Sequence, residues 1–275
     1  MDADADRQFR VAIVSRHRTC WPMTLDSGFL IALFAVFMRT SAMVLISPLF
    51  TGMGTPTKVR VFFAAALALA LAPGLSGVIF VPADLYGLVS IAATEIAFGL
   101  ILGFLVQMVM LAAQVAGSFL DLSVGLGLAS ILAPNASIPG SIISRFKYFL
   151  ALVLFLSLDG HHLMIQAMLA GYRVEAPLGG EVVYQVMLTG VWQMSLIALQ
   201  IALPVAAVSV VVDACFGIIS RAVPQINVLI AGISGKMLIG IVALSLSLPT
   251  LAIGVSRSLE AVQALIERWL GVRGV

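Results

Sequence analysis

Charge is what this chain lacks. Asp, Glu, Lys and Arg supply 10% of its 275 residues, whereas soluble domains carry about 25%. Hydrophobic residues fill the gap at 61%, and the mean hydropathy is +1.12. An ordinary soluble domain is thereby excluded, and the fold class expected is all-α and membrane-embedded. The length leaves room for about six apolar helices of ~20 residues each. A net charge of +2 is too small to imply a nucleic-acid partner, and no basic face with interleaved aromatics is present, so none is expected. Cysteine is nearly absent too: Cys20 lies in a polar N-terminal stretch and Cys215 in an apolar run, which makes neither a disulfide framework nor a metal-ligand set. Missing as well are G-x-S-x-G, H-E-x-x-H and any Gly-rich phosphate loop followed by lysine. The chain is therefore not expected to be an enzyme, and no cofactor or metal is expected.

The most unusual stretch present is the uncharged run 122–144. Gly125, Gly127, Gly140, Pro134 and Pro139 interrupt it, and five serines are scattered through it. Two prolines and three glycines disfavour a continuous helix. Yet Leu126, Leu128, Ile131, Leu132, Ile138, Ile142 and Ile143 make it too apolar for a water-facing loop. Irregular backbone at membrane depth is tolerated only when buried in protein or lining a watery cavity. Flanked by Asp121 before it and Arg145 and Lys147 around its end, the run reads as an apolar segment lodged inside an assembly, where it closes a pore.

Residues 1–22 differ from all that follows. Arg7, Arg10, Arg16 and Arg18 stand among polar residues with no apolar core of a signal peptide, so this is a basic extension or the start lies at Met23. The first apolar helix spans 28–46 and is interrupted by Arg39 alone, which is costly at the bilayer centre. Arg39 either snorkels to an interface or pairs across a subunit contact. After a break at Pro48, Gly52, Gly54 and Pro56, a helix over 61–72 places Ala64, Ala68 and Ala72 four apart on one face, where another helix can approach closely. A long helix over 85–120 follows, carrying a small-xxx-small pattern at Gly99 and Gly103. Glu95, Gln107, Gln114 and Asp121 are its polar groups. The last three are seven apart and fall near one stripe, facing either a water-filled channel or hydrogen-bond partners on other helices.

An apolar run over 146–158 ends at Asp159, Gly160, His161 and His162. Adjacent histidines point about 100° apart on a helix and suit a shared metal ion poorly, so Asp159 is expected to cap the following turn. Residues 172–181 read as the most water-compatible interior loop. Charge-free residues 182–212 and the apolar helix 237–248 then form a hairpin around a turn region, 213–236, in which Asp213, Arg221 and Lys236 are placed to form ion pairs or meet a partner. Residues 256–270 are amphipathic, with Leu259, Val262, Ile266 and Trp269 on one face and Glu260, Gln263 and Glu267 opposite. That face is expected at an interface or on a partner. Basic residues divide too evenly between the two sides to set membrane orientation.

Several stretches together resemble FliR, the export-gate component of the flagellar type III secretion system, whose injectisome relatives are called SctT. They are Phe37-Met38-Arg39-Thr40-Ser41, Ser47-Pro48-Leu49-Phe50, residues 56–60 from Pro56 to Arg60, the Leu158-Asp159-Gly160-His161-His162 turn, and residues 221–228 around Arg221, Pro224, Gln225 and Asn227. The resemblance covers roughly residues 23–255. It implies a non-enzymatic subunit that joins FliP-like and FliQ-like subunits, and a FlhB-like one, in a helical hetero-oligomer of the flagellar basal body at the bacterial inner membrane. Unfolded export substrates pass through that gate. On the family's pattern residues 23–180 are FliP-like, 181–255 form a FliQ-like hairpin and 256–275 a tail. The plug loop implied by the resemblance coincides with 122–144, with Leu126, Gly127, Leu128, Ile131, Leu132, Pro134, Asn135, Ile138 and Pro139 as its pore-closing residues. Arg39, Glu95, Gln107, Gln114, Asp121, Arg145, Lys147, Asp159, His161, His162, Asp213, Arg221 and Lys236 are candidates for polar contacts between subunits. An injectisome gate is the alternative within the family. Outside it stands a secondary transporter using Glu95, Asp121 or Asp159 as a proton site.

Overall fold

Eight helices, and no strand, make up the described part of the computed structural model, which comprises residues 27–51, 55–75, 84–125, 142–174, 178–222 and 228–271. In chain order they are α1 (Ser27–Ile46), α2 (Pro48–Thr51), α3 (Thr57–Leu75), α4 (Leu85–Val124), α5 (Ile142–Ser157), α6 (Gly160–Arg173), α7 (Gly180–Ala222) and α8 (Val228–Leu270). Five are long and apolar enough to cross a membrane, and the bent pair α5–α6 makes a sixth candidate. The all-α, membrane-embedded class expected from composition is what forms. Residues 1–22 lie outside the described residues.

The core is built around α4, whose 40 residues extend ~60 Å at 1.5 Å per residue. Its small-xxx-small pattern meets α1 directly. A Cβ at Gly99 would lie 2.3 Å from the Arg39 carbonyl oxygen, and one at Gly103 would lie 2.9 Å from that of Met43. Only glycine lets the two backbones come this close. On the other side of α1, Ala64, Ala68 and Ala72 of α3 are all fully buried, and Thr40 Oγ1 donates to the Ala64 carbonyl at 3.2 Å. Both small-residue faces thus bear out as helix contacts.

Arg39 takes neither of the routes foreseen for it. Its Nε donates to Glu95 Oε2 on α4, and its Nη1 donates to the Met168 carbonyl on α6 at 3.2 Å. The guanidinium lies between two rings, 4.1 Å from the Phe98 centroid and 3.6 Å from that of Tyr172. Tyr172 Oη closes the network by donating to Glu95 Oε2 at 2.9 Å. Phe98 stacks in turn on Trp269 of α8, with centroids 4.8 Å apart. Arg39 and Glu95 are 6% and 8% exposed, so the pair is satisfied inside this chain rather than offered to another subunit. Tyr172, assigned to a loop by sequence, ends α6 and is part of this core.

The tail is the largest departure from the sequence reading. Helix α8 runs unbroken through Pro249 for 43 residues, and the face of Val262, Ile266 and Trp269 is buried against the body of the same chain. Ser247 and Thr250 donate to the carbonyls of Leu244 and Ser247, both at 2.8 Å, so their hydroxyls are satisfied within the helix around Pro249. The amphipathic pattern demanded a partner, and this face finds it within the chain, in a core it shares with α4 and α7. The hairpin turn also shrinks, because α7 extends to Ala222 and α8 starts at Val228. Lys236 pairs with Asp213 across the hairpin, as expected, while Arg221 stays exposed at the end of α7.

Removing one member of a buried ion pair costs about 3–5 kcal/mol, because the survivor is left uncompensated. Arg39→Met and Glu95→Gln are each expected to lower the melting temperature of the purified protein in detergent. The double variant Arg39→Met/Glu95→Leu should be less damaged than the sum of the two single changes. Additive losses would show that the pair does not act as a unit.

Candidate functional site

Both ends of the uncharged run are helical. Residues 122–124 complete α4, and Ile142, Ile143 and Ser144 open α5. Gly125 ends α4 in the left-handed conformation, φ 88°, with its N–H on the Leu122 carbonyl at 3.2 Å. Glycine occupies that conformation at no steric cost. The pore-closing candidates Leu126, Gly127, Leu128, Ile131, Leu132, Pro134, Asn135, Ile138 and Pro139 lie outside the described residues. What is described is the foot on which the segment stands.

That foot is built on Asp121. Its Oδ1 accepts the Ile143 N–H at 3.1 Å and its Oδ2 the Ser144 N–H at 3.0 Å. The first N–H groups of a helix have no partner within it, and the positive end of the helix dipole favours a carboxylate. Asp121, 1% exposed, therefore caps α5 from the end of α4. Ser144 Oγ donates to the Gln114 carbonyl at 2.8 Å and receives the Ser118 hydroxyl at 3.1 Å. A Cβ on Gly117 would sit 2.4 Å from the Ser144 Cα, so this joint needs glycine on α4. Residues 125 and 142 consequently leave from one place, with residues 126–141 between them.

The hairpin leans on the same foot. Leu120 and Ile143 pack with Val205 of α7 and Ala243 of α8. Val124 lies against Gly240, where an added Cβ would meet its Cγ1 at 2.3 Å. Of the other polar candidates, Lys147 is fully buried one turn into α5, and its Nζ has no hydrogen-bond partner among the described residues. It is not on a surface that another subunit can reach, whereas Arg145 is exposed. The stripe 107, 114 and 121 divides into three environments: Gln107 is half-buried with an unpartnered Oε1, Gln114 is exposed, and Asp121 is committed to the cap.

At the far end of α5 the chain bends by 64° into α6. Asp159 adopts φ 57° and ψ 25°, and it alone among the described non-glycine residues has a positive φ. Such a conformation costs of order 1–3 kcal/mol. Gly160 makes the bend possible, since a Cβ there would meet the Phe155 ring at 2.3 Å. The expected side-chain cap does not form. The Asp159 backbone carbonyl accepts the first intrahelical N–H groups, those of His162 and Leu163, at 2.9 and 3.2 Å. Its carboxylate turns to His162, with Oδ1 at 3.3 Å from Nδ1.

Asp121's capping of another helix, the Gly117 joint and the Gly240 notch were all missed from the sequence. Asp121 was visible only as a polar member of a stripe. A carboxylate 22 residues from its donor leaves no local pattern to read.

A model of the family described as Bacterial export proteins, family 1 matches residues 30–262. The flagellar biosynthetic protein FliR of Bacillus subtilis is 30% identical over 219 residues, covering 78% of this chain and 84% of that protein. FliR of Escherichia coli is 26% identical over 223 residues, covering 80% and 85%. FliR of Caulobacter vibrioides is 27% identical over 223 residues, covering 79% and 88%. The matched region runs from α1 through the foot and the hairpin into the buried end of α8, and over that span the chain belongs to the bacterial export proteins of family 1, the FliR family.

Proposed function

We propose that this chain is a non-catalytic gate subunit of the flagellar protein-export apparatus in the bacterial inner membrane. It works with FliP-like, FliQ-like and FlhB-like subunits, and the apolar segment within 122–144 shuts the path of unfolded export substrates. The observation that carries this reading is the foot. Asp121 joins the end of α4 to the start of α5, so an uncharged segment rich in Gly and Pro leaves and returns at one rigid point. Apolar side chains in such a segment exclude water while the path is closed. Glycines let it rearrange without breaking regular structure.

Two further observations support an assembly. Helices of 40 and 43 residues reach ~60 Å and more, twice the ~30 Å hydrocarbon core of a bilayer. They also leave large side chains uncovered, among them Phe62 at 76%, Trp192 at 66% and Leu238 at 71% exposure, and so much apolar surface needs lipid or protein against it. A proton-coupled transporter is disfavoured by the same geometry. Glu95 is held by Arg39 and Tyr172 and Asp121 by two backbone N–H groups, so both carboxylates are engaged inside the chain, while Asp159 lies exposed beside His162. The alternative of an injectisome gate uses the same foot, and motility against effector secretion separates the two.

Deleting residues 127–139 is expected to leave the complex assembled but make the membrane leak ions, with motility impaired; an assembled, ion-tight complex would remove the gate from this segment. Asp121→Ala frees the start of α5, a loss of about 1–2 kcal/mol for a capping group. A smaller leak than that of the deletion is expected, with Asp121→Asn in between. Wild-type ion tightness and complex abundance in Asp121→Ala would show that the foot does not hold the segment in place.

A further inference from the structure

The bend between α5 and α6 collects three metal-ligating side chains with no other work assigned to them. Asp159, His161 and His162 each bring one ligand atom within 4.8 Å of the others. The ordinary reason for an aspartate before a helix is to cap it, and here its carboxylate makes no capping hydrogen bond. The carboxylate is left beside the imidazoles. Its Oδ1 contacts His162 Nδ1 at 3.3 Å. That distance matches the ~3.3 Å edge of a tetrahedron whose ligands stand about 2.0–2.1 Å from the ion. The His161 ring lies 4.5 Å from that of His162, and its buried Nδ1 has no hydrogen-bond partner among the described residues. Asp159 and His162 are exposed, so an ion has a route in.

We propose that Asp159, His161 and His162 form a binding site for a borderline divalent transition-metal ion, of which Zn2+ is the chemical type. Two imidazoles and a carboxylate are the donor set such ions take, and three protein ligands leave a position open for water or a group from a neighbouring molecule. Sequence spacing argues against this site because adjacent histidines diverge on a helix. The structure meets that objection because the two rings turn toward each other, with centroids 4.5 Å apart and 38° between their planes. The bound ion would tie that turn to the end of α5 and so hold the 64° bend.

The test is metal titration of the complex purified through a tag containing no histidine. CoCl2 should produce the ligand-field absorption of a nitrogen-ligated site, and ZnCl2 should abolish it at one equivalent per chain. His161→Ala and His162→Ala should each weaken binding at least roughly tenfold, and Asp159→Asn should weaken it less. His17→Ala, at the remaining histidine, should change nothing. Should the variants fail to assemble, the wild-type complex decides alone: Zn2+ should protect both His161 and His162 from diethylpyrocarbonate, read by peptide mass spectrometry. Absence of ligand-field bands, their survival in the double histidine variant, or equal labelling with and without Zn2+ would overturn the site.

Discussion

The Arg39–Glu95 pair is the constraint on which the body of this protein depends. A charged pair withdrawn from water is rarely worth more than well-packed apolar residues, but breaking it is expensive. It therefore acts less as a source of stability than as a fixed reference. Once Arg39 is paired on α4, its second donor must meet the Met168 carbonyl and its faces must meet Phe98 and Tyr172. Four helices distant in sequence are thereby set against one another: α1, α4, α6 and, through Trp269, α8. In a chain this poor in charge, apolar contacts alone leave many near-equivalent registers open, and one directional network selects among them.

The same economy governs the foot. Asp121 is a second buried charge, and it too is spent on joining elements far apart in sequence, the end of α4 and the start of α5. The body and the foot share α4, and the hairpin touches both: its base packs near Ile197, Ile201 and Leu251 in the main core, and its middle packs on Leu120 and Ile143. Lys236 and Asp213 stitch the two arms further out. The uncovered helix faces are what remains for lipid and for neighbouring subunits.

Features that depend on neighbours within a turn or two were readable from the sequence. Gly99 and Gly103 announced a close helix contact, the alanines of α3 announced another, and the pattern of Val262, Ile266 and Trp269 announced a buried face. None of these patterns names its partner. That is why the pattern alone leaves the tail at an interface or on a partner, and Arg39 snorkelling or pairing across subunits, when the structure sets the tail in the core and Glu95 across from Arg39 in the same chain. Tyr172 was given to a loop because Arg173, Glu175 and Pro177 follow it closely; its place under Arg39 is a tertiary fact. Asp159 shows the reverse failure. A strong local rule, aspartate as a helix cap, was set aside by a backbone conformation that only the packing of Gly160 on Phe155 makes necessary.

The joint between Gly125 and Ile142 bears on how such proteins diverge. A segment whose two ends are held at one point can gain or lose residues without moving anything outside it. The entropy of closing it rises only with the logarithm of its length, about 0.6 kcal/mol for each doubling. Lengthening the chain between positions 126 and 141 thus costs little in closure entropy, whereas Asp121, Gly117 and Ser144 each carry a specific contact of the foot.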